Sequence, residues 1–333
     1  MHSQSTVPTL PGQASPSAPA LPQRSRGMAL ITAMLTVALI ATLAGTALWQ
    51  QWRSLQVESA ERQRQQALWL LGGALDWARL VLREDARSGN TDHLAEPWAL
   101  PLQEARLSSF LASSSDGVTE DDVGMAERVF LSGQIRDLQA RLNVFNLIQG
   151  DQLSAPDVAA FERLFELLGL PHDVLEQLAR QLLAASRGGG RAVMPQRVSQ
   201  LTWLGLSPAQ LTRLEPFITW LPMRTGVNLN TAPPEVLHAS VPGLRQADAQ
   251  RVALQRNAQP WRTLEEATQA LGDAGKALTS SAHQLSSNCF EVVGRVRMGS
   301  TTLVERSVIQ RDDNQRILWR ERGVLAGPVR SLQ

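Results

Sequence analysis

Residues 28–48 read MALITAMLTVALIATLAGTAL and hold no charged side chain. Their polarity is confined to Thr32, Thr36, Thr42 and Thr46. A helix of this length rises roughly 30 Å, the thickness of a bilayer's hydrocarbon core. Threonine hydroxyls cost little in such a helix, because each can bond back to a carbonyl one turn earlier. Arg24 and Arg26 are the only charges ahead of the run. Basic residues stay on the cytoplasmic side, so the bulk of the chain is expected outside the cytoplasm.

Three readings of the stretch compete. It is a plain anchor, or a secretory signal cut after small residues near Ala44–Ala47, or a prepilin leader in which the cut precedes the apolar run. Arg26-Gly27 directly before Met28-Ala29-Leu30-Ile31 resembles the leader read by prepilin peptidases. Residues 1–23 are rich in serine and proline with no hydrophobic period, so they are expected to be disordered and, on the leader reading, discarded.

Outward from the run the helix continues. Residues 49–87 contain no proline, and Leu68, Leu71, Leu75, Ala78 and Leu82 fall on one face at helical spacing. Arg62, Gln65, Gln66, Asp76, Arg79 and Arg83 are placed on the other. Gly72-Gly73 weakens the middle by roughly 1 kcal/mol per glycine, and Ser88-Gly89-Asn90 ends it. The spacing therefore predicts one long helix, apolar in its first half and amphipathic in its second. Leu68, Leu71, Leu75 and Leu82 are candidates for contact either with partner helices or with the chain's own sheet.

With 333 residues, 43% hydrophobic and 19% charged, the chain can bury a core and hold more than one unit. A net charge of +1 gives no global pull toward nucleic acid. Lys276 is the sole lysine, and the single cysteine, Cys289, excludes an internal disulfide and a cysteine metal cluster. Beside Phe290 in an alternating run, its expected role is packing.

Residues 91–127 read as irregular, with Glu120-Asp121-Asp122 in a solvated loop. From Arg128 the period becomes two: Val129, Leu131 and Ile135, then Leu142 and Val144, with Gly133 as a turn or bulge. The same period returns in Phe290, Val292, Val296 and Met298, a turn at Gly299-Ser300, and a strand from Leu303 to Gln310. A turn at Asp312-Asp313-Asn314 and a short strand at Ile317-Leu318-Trp319 follow. Two strand pairs about 140 residues apart build one antiparallel sheet with a large insertion. The insertion reads as helical. Ser154-Ala155-Pro156-Asp157 starts a helix through Leu168, Pro171 opens one through Leu183, and Ser207-Pro208 and Ala232-Pro233-Pro234 begin two more. Trp203, Trp220 and Trp261 are spaced as core anchors.

No catalytic constellation stands out. His2, His93, His172, His238 and His283 are scattered with no ligand pairs, and neither Gly188-Gly189-Gly190 nor Gly275-Lys276 has the context of a phosphate loop. No enzyme is expected. The stretch from Val227-Asn228-Leu229-Asn230-Thr231-Ala232 through Val241-Pro242-Gly243-Leu244 to Pro260-Trp261-Arg262 resembles a helix-hairpin-helix. Arg245 stands at its second glycine position and the surroundings are not strongly basic, so a structural hairpin is favoured over a DNA-binding one.

Four strings in order resemble minor pseudopilin K of the type II secretion system (general secretion pathway protein K) over nearly the whole chain after Arg24. They are Arg26-Gly27-Met28-Ala29-Leu30-Ile31; Asp92-His93-Leu94, Glu96, Trp98-Ala99 and Pro101; Ile135-Arg136-Asp137 with Arg141-Leu142-Asn143-Val144; and Leu229-Asn230-Thr231-Ala232-Pro233. The resemblance implies an α+β, pilin-like fold in which a long N-terminal helix packs on an antiparallel sheet interrupted by a large inserted all-α domain. The expected parts are a leader (1–27), a transmembrane helix (28–48), a helical stem (49–90), a first β part (91–150), the insert (151–284) and a second β part (285–325). It further implies cleavage between Gly27 and Met28 by prepilin peptidase, methylation of the new amino terminus, and Leu30, Ile31, Thr32 and Leu35 in the assembly helix. The implied place is the tip of a periplasmic pseudopilus that exports folded proteins. The chain would initiate and cap it, with minor pseudopilins I and J and the major pseudopilin as partners and the inner membrane as anchor.

Thr32 stands where most pilins have glutamate, which suits a tip subunit with no neighbour above it. No cofactor is expected: calcium is known in the family, but where relatives are aspartate-rich this chain reads Ala184-Ala185-Ser186-Arg187-Gly188-Gly189-Gly190-Arg191, and arginines cannot ligate a cation. Phe145 replaces a polar position in the asparagine-rich run. The rival readings are a membrane-anchored DNA-binding protein using the hairpin and a type IV pilus tip subunit.

Overall fold

The computed structural model describes residues 26–111, 128–188, 193–299, 301–312 and 315–323. Residues 1–25 of the expected leader, the Glu120-Asp121-Asp122 loop and most of the Gly188–Arg191 stretch lie outside the described residues, as do Ser300, Asp313 and Asn314 of the expected turns. The chain divides into two compact units, one through Glu61 and one from Arg62.

One helix, α1, spans Arg26–Ser88. In the first unit its side chains are exposed from Met28 onward. The threonines behave as their chemistry demands: the Thr32 hydroxyl donates to Met28 O and Ala29 O at 3.0 Å, and Thr36, Thr42 and Thr46 each donate to a carbonyl three residues back at 2.8 Å. Each hydroxyl is satisfied inside the helix, which removes the main cost of placing it in lipid. This is the one helix among the described residues that is long and apolar enough to cross a membrane.

In the second unit, five strands form an antiparallel sheet in chain order: β1 Leu102–Arg106, β2 Val129–Asp137, β3 Cys289–Met298, β4 Thr301–Gln310 and β5 Arg316–Gly323. Strand β1 lies in the stretch expected to be irregular. Its sequence, LQEAR, has two charges in five residues and exposes most of its side chains, so its hydrophobic alternation is too weak to read. Strand β5 runs to Gly323, well past Trp319, as an exposed edge. The central neighbours β2 and β3 come from opposite ends of the insertion, as the period-two runs predict.

The second unit's part of α1 covers one face of this sheet. Ala67 and Leu71 pack with Val129, Val296, Met298 and Leu303, and Leu68 lies partly buried against the same group. One turn on, Leu75, Ala78 and Leu82 pack with Trp98, Ile135, Phe290, Val292 and Ile309. The Trp98 and Phe290 rings meet edge to face at 5.2 Å. Gly133 is neither a turn nor a bulge in the β2–β3 pairing; it sits mid-strand opposite Gly294 with unbroken register. A Cβ on Gly133 would lie 2.9 Å from Val293 O, and one on Gly294 would lie 3.2 Å from Leu71 Cδ2. Paired glycines thus let the helix and strands approach closely. The irregularity lies on the other side, in β1 between Leu102 and Ala105.

Between β2 and β3 runs the insert, with helices α2 Ala155–Leu167, α3 His172–Ser186, α4 Pro208–Leu214, α5 Pro234–Ser240, α6 Gln246–Ala258 and α7 Leu264–Leu271. Phe161, Leu164 and Phe165 of α2 and Leu175, Leu178 and Leu182 of α3 anchor its own core. Ser207 closes a capping box with Gln210 at the start of α4. The run Leu142–Val144 is not a full strand. Leu142–Asn143 makes a two-residue parallel ladder with Ile218–Thr219, and a tight 3-10 turn over Val144–Leu147 follows. Trp220 and Trp261 are buried, whereas Trp203 is 62% exposed and anchors nothing in this fold. It belongs to a 3-10 segment, Val198–Leu204, whose inward residues are Leu201 and Leu204. Cys289 is fully buried, and burial pushes its thiol up to about 12, so it packs.

Candidate functional site: a stem with two faces and a buried polar junction

The expected processing site, Gly27-Met28, falls in the first turn of α1, and Met28, Leu30, Ile31, Thr32 and Leu35 are exposed. Higher on the helix, Leu71, Leu75 and Leu82 are at most 4% exposed, inside the chain's own fold. Of the two roles left open for that face, the structure gives it to the chain's own sheet. Packing against Ile135, Phe290 and Val296 takes these leucines from water.

The opposite side is not merely polar. Trp69 is 81% exposed, Trp77 55% and Leu80 56%. At about 100° per residue these three cluster roughly half a turn from Leu71, Leu75 and Leu82. The sequence reading placed arginines and glutamines there and passed over the two tryptophans. The same angular count applied to every large apolar residue finds them.

Three of the four strings, those holding Asp92, Asp137 and Thr231, meet in a second feature. At the end of α1, Arg311, which follows β4, binds two carboxylates: Nη1 donates to Asp85 Oδ2 at 2.8 Å and Nη2 to Asp92 Oδ2 at 2.6 Å. Its Nη2 also donates to Ser287 O at 2.7 Å, and its guanidinium stacks 4.9 Å from the Phe290 ring. Behind it lies Asp137, the last residue of β2 and almost fully buried. Asp137 Oδ2 accepts from Thr231 Oγ1 at 2.5 Å, Ser287 Oγ at 2.6 Å and Asn228 Nδ2 at 3.1 Å, and its Oδ1 accepts from the Gln139 amide at 2.7 Å. Asn228 Nδ2 reaches on to Asp92 O and Ser287 Oγ. One cluster therefore ties together the stem's end, the central strands and the insert.

The chain folds this way locally because Pro233 and Pro234 start α5 and free Asn228–Thr231 to turn toward Asp137. Arg256 on α6 holds that turn by donating to the carbonyls of Leu229 and Ala232. Burial pushes Arg256 down to about 10. Asn230 exchanges hydrogen bonds with the backbone of Trp261. Glu96 takes no part in the salt bridges of Arg311; its Oε2 accepts from the Trp98 indole at 2.6 Å and the His93 amide at 2.9 Å.

The cluster is electrostatically loaded. Complete burial pushes Asp137 up to about 6, opposed by its hydrogen bonds from Ser287, Thr231 and Gln139. Asp85 rises to about 7, through burial first and then the negative charges of Glu96 and Asp92, with Arg311 pulling it back. Carboxylate oxygens of Asp85, Asp92 and Glu96 lie within 4.8 Å of one another, a spacing that could hold a cation. Arg311 already pairs with two of the three and offsets part of their negative charge.

Gly243 adopts φ +79 between α5 and α6, and Nδ1 of His238 lies 2.7 Å from Leu244 O. Arg245 and Arg251, the cations that would face a phosphate, are both paired with Asp248.

The comparisons agree with this geometry. The sequence pattern of the family "Type II secretion system (T2SS), protein K" matches residues 227–286, the stretch that carries Asn228, Thr231 and Arg256. Type II secretion system protein K of Pseudomonas aeruginosa is 28% identical, across 92% of this chain and 95% of its own length. The protein of the same name from Klebsiella pneumoniae is also 28% identical, across 86% and 93%. In fold, the chain resembles one from the crystal structure of the GspK-GspI-GspJ complex of the enterotoxigenic Escherichia coli type 2 secretion system. The TM-score is 0.61 at 21% identity, over 80% of this chain and 98% of that one. Taken with the four strings and the sheet split by a helical insert, these matches make the chain similar to type II secretion system protein K over most of its length.

Proposed function

We propose that this chain is the minor pseudopilin at the tip of a type II secretion pseudopilus. In this reading residues 28–48 hold it in the inner membrane, N-terminus cytoplasmic and folded part periplasmic, until it associates with the I and J minor pseudopilins. That association initiates the fibre, and the bulky insert caps it. Prepilin peptidase cuts between Gly27 and Met28 and methylates Met28.

The observation that carries the proposal is the two-faced stem. One face of α1 is consumed by the chain's own sheet, while Trp69, Trp77 and Leu80 stand exposed on the other. Exposed tryptophans aligned on a helix are unusual on a surface that meets only water and favour a partner helix. The relative's complex with GspI and GspJ supplies the partner type.

The test is co-purification from membranes that hold prepilin peptidase and the I and J subunits. The wild-type chain is expected to bring both down and to begin at methylated Met28. Trp69→Arg with Trp77→Arg is expected to lose the partners while the mature chain still begins at methylated Met28. An uncut chain, or full partner recovery by the double variant, would remove the proposal.

A further inference from the structure

On the sheet face away from α1, the insert and the sheet leave a groove with two unlike ends. The wider end, about 410 Å³, is lined by Phe145, Met194, Trp220, Pro222, Leu318 and Trp319. Phe145 and Trp220 meet edge to face at 5.9 Å, which fixes one wall. The narrower end, about 90 Å³, continues past the shared residues Arg197, Trp220, Val308 and Trp319 to Arg141, Arg306, Glu215 and Glu291.

Charge in the narrow end is unevenly satisfied. Glu291 is taken twice, by Arg136 at 3.8 Å and Arg306 at 3.4 Å. Arg197 pairs with Glu321 at 3.5 Å and stacks 5.3 Å from the Trp319 ring. Arg141 is partly buried, and its guanidinium has no hydrogen bond or ion pair among the described residues. Glu291 and Glu215 attract it from a distance, Arg136 and Arg306 repel it, and burial outweighs both and lowers its basicity. A guanidinium held in a cleft without a partner calls for an anion. An aromatic wall a few ångströms further along calls for an apolar group.

We propose that this groove docks an extended polypeptide segment bearing a carboxylate next to a large apolar side chain, the carboxylate on Arg141 and the apolar side chain between Phe145, Trp220 and Trp319. The exposed edge of β5 lies alongside, so the segment's backbone has unpaired strand groups within reach. A planar carboxylate suits the fork of Arg141 better than a spherical ion does. The proposal stands on the groove alone and holds whether or not the chain occupies a pseudopilus tip.

The experiment uses the full chain in lipid nanodiscs and a fluorescein-labelled probe, Gly-Ser-Asp-Phe-Ser-Gly, followed by polarisation. The probe is expected to bind in saturable fashion. Replacing its aspartate by lysine, or changing Arg141→Gln in the protein, should weaken binding about tenfold or more. Trp319→Ala should weaken the phenylalanine probe and leave an alanine-for-phenylalanine probe unchanged, which keeps the test open if Arg141→Gln fails to fold. Equal binding of aspartate and lysine probes, or no binding at millimolar probe, would overturn the proposal. So would binding that appears only after removal of residues 324–333, which would assign the groove to the chain's own tail. Full competition by acetate alone would reduce the site to a small-anion cleft and likewise overturn it.

Discussion

Against one face of the sheet, α1 lays leucine and alanine; at the sheet's end, the insert is held by aspartate, asparagine, threonine, serine and arginine. The first contact asks only for apolar volume at the right spacing, plus the close approach that Gly133 and Gly294 permit. The second asks for named donors on named acceptors, with Asp137 receiving four hydrogen bonds. Apolar packing brings elements together, but it leaves relative position loosely specified. A satisfied polar cluster admits one arrangement, because any slip strands a buried charge. A domain inserted between two neighbouring strands needs the second kind of contact, and that is where it occurs.

Breaking the polar side should have the larger effect. Arg311→Leu leaves Asp85 and Asp92 buried against each other without a counter-charge, and is expected to cost about 3–5 kcal/mol at pH 8. Denaturation of the detergent-solubilised chain, followed by tryptophan fluorescence, measures it. The loss should shrink at pH 5, where Asp85 takes up a proton. An equal loss at both pH values would mean that repulsion between the two carboxylates is not the cause. On the apolar side, Leu82→Ala removes a fully buried side chain facing Phe290 and Ile135, at about 3 kcal/mol in the same assay and without dependence on pH.

The comparison is sharpened by Asp137 itself. Its folded pKa of about 6 lies above the ordinary 3.8, so the folded chain holds this proton more tightly than the unfolded one. That contribution is fully present below about pH 4 and is lost as pH rises through about 6, with a size of roughly 3 kcal/mol. Burial lowers the pKa of His283, which acts in the opposite sense. The quantity to measure is therefore the difference between wild type and Asp137→Asn, expected to decline from pH 4 to pH 7. A flat difference would place the proton elsewhere in the cluster.

The stem, the central strand pair and the helical insert were legible in the sequence, because each depends on a period that neighbouring residues display: the unbroken helical spacing to Leu82, and the alternation in Val129–Ile135 and Phe290–Met298. Asp92, Asp137 and Asn228 were visible as separate strings. That they share one cluster was not, since Asn228 reaches Asp92 O across 136 residues and no local period encodes the meeting. Strand β1 escaped because an edge strand with two charges hides its alternation, and Trp203 misled because hydrophobicity alone does not say which side of a 3-10 segment faces inward. Trp69 and Trp77 were missed for another reason: a helix with one buried apolar face invites the reading that its far side is polar.

The insert also sets an order of events in time. Ser287 meets Asp137 across a gap of 150 residues, and β3 meets β2 across the same gap. At roughly 5–20 residues per second of synthesis, about 8 to 30 seconds separate the appearance of the two central strands. Throughout that interval the leucines of α1 have β2 but lack β3 and β4. The membrane end of the helix is already made, so the nascent chain waits as a tethered, half-clothed stem. Its leucine stripe is then open to chaperones, to the lipid surface or to a neighbouring stem. The junction around Arg311 closes last, since Arg311 emerges after every other member of its cluster.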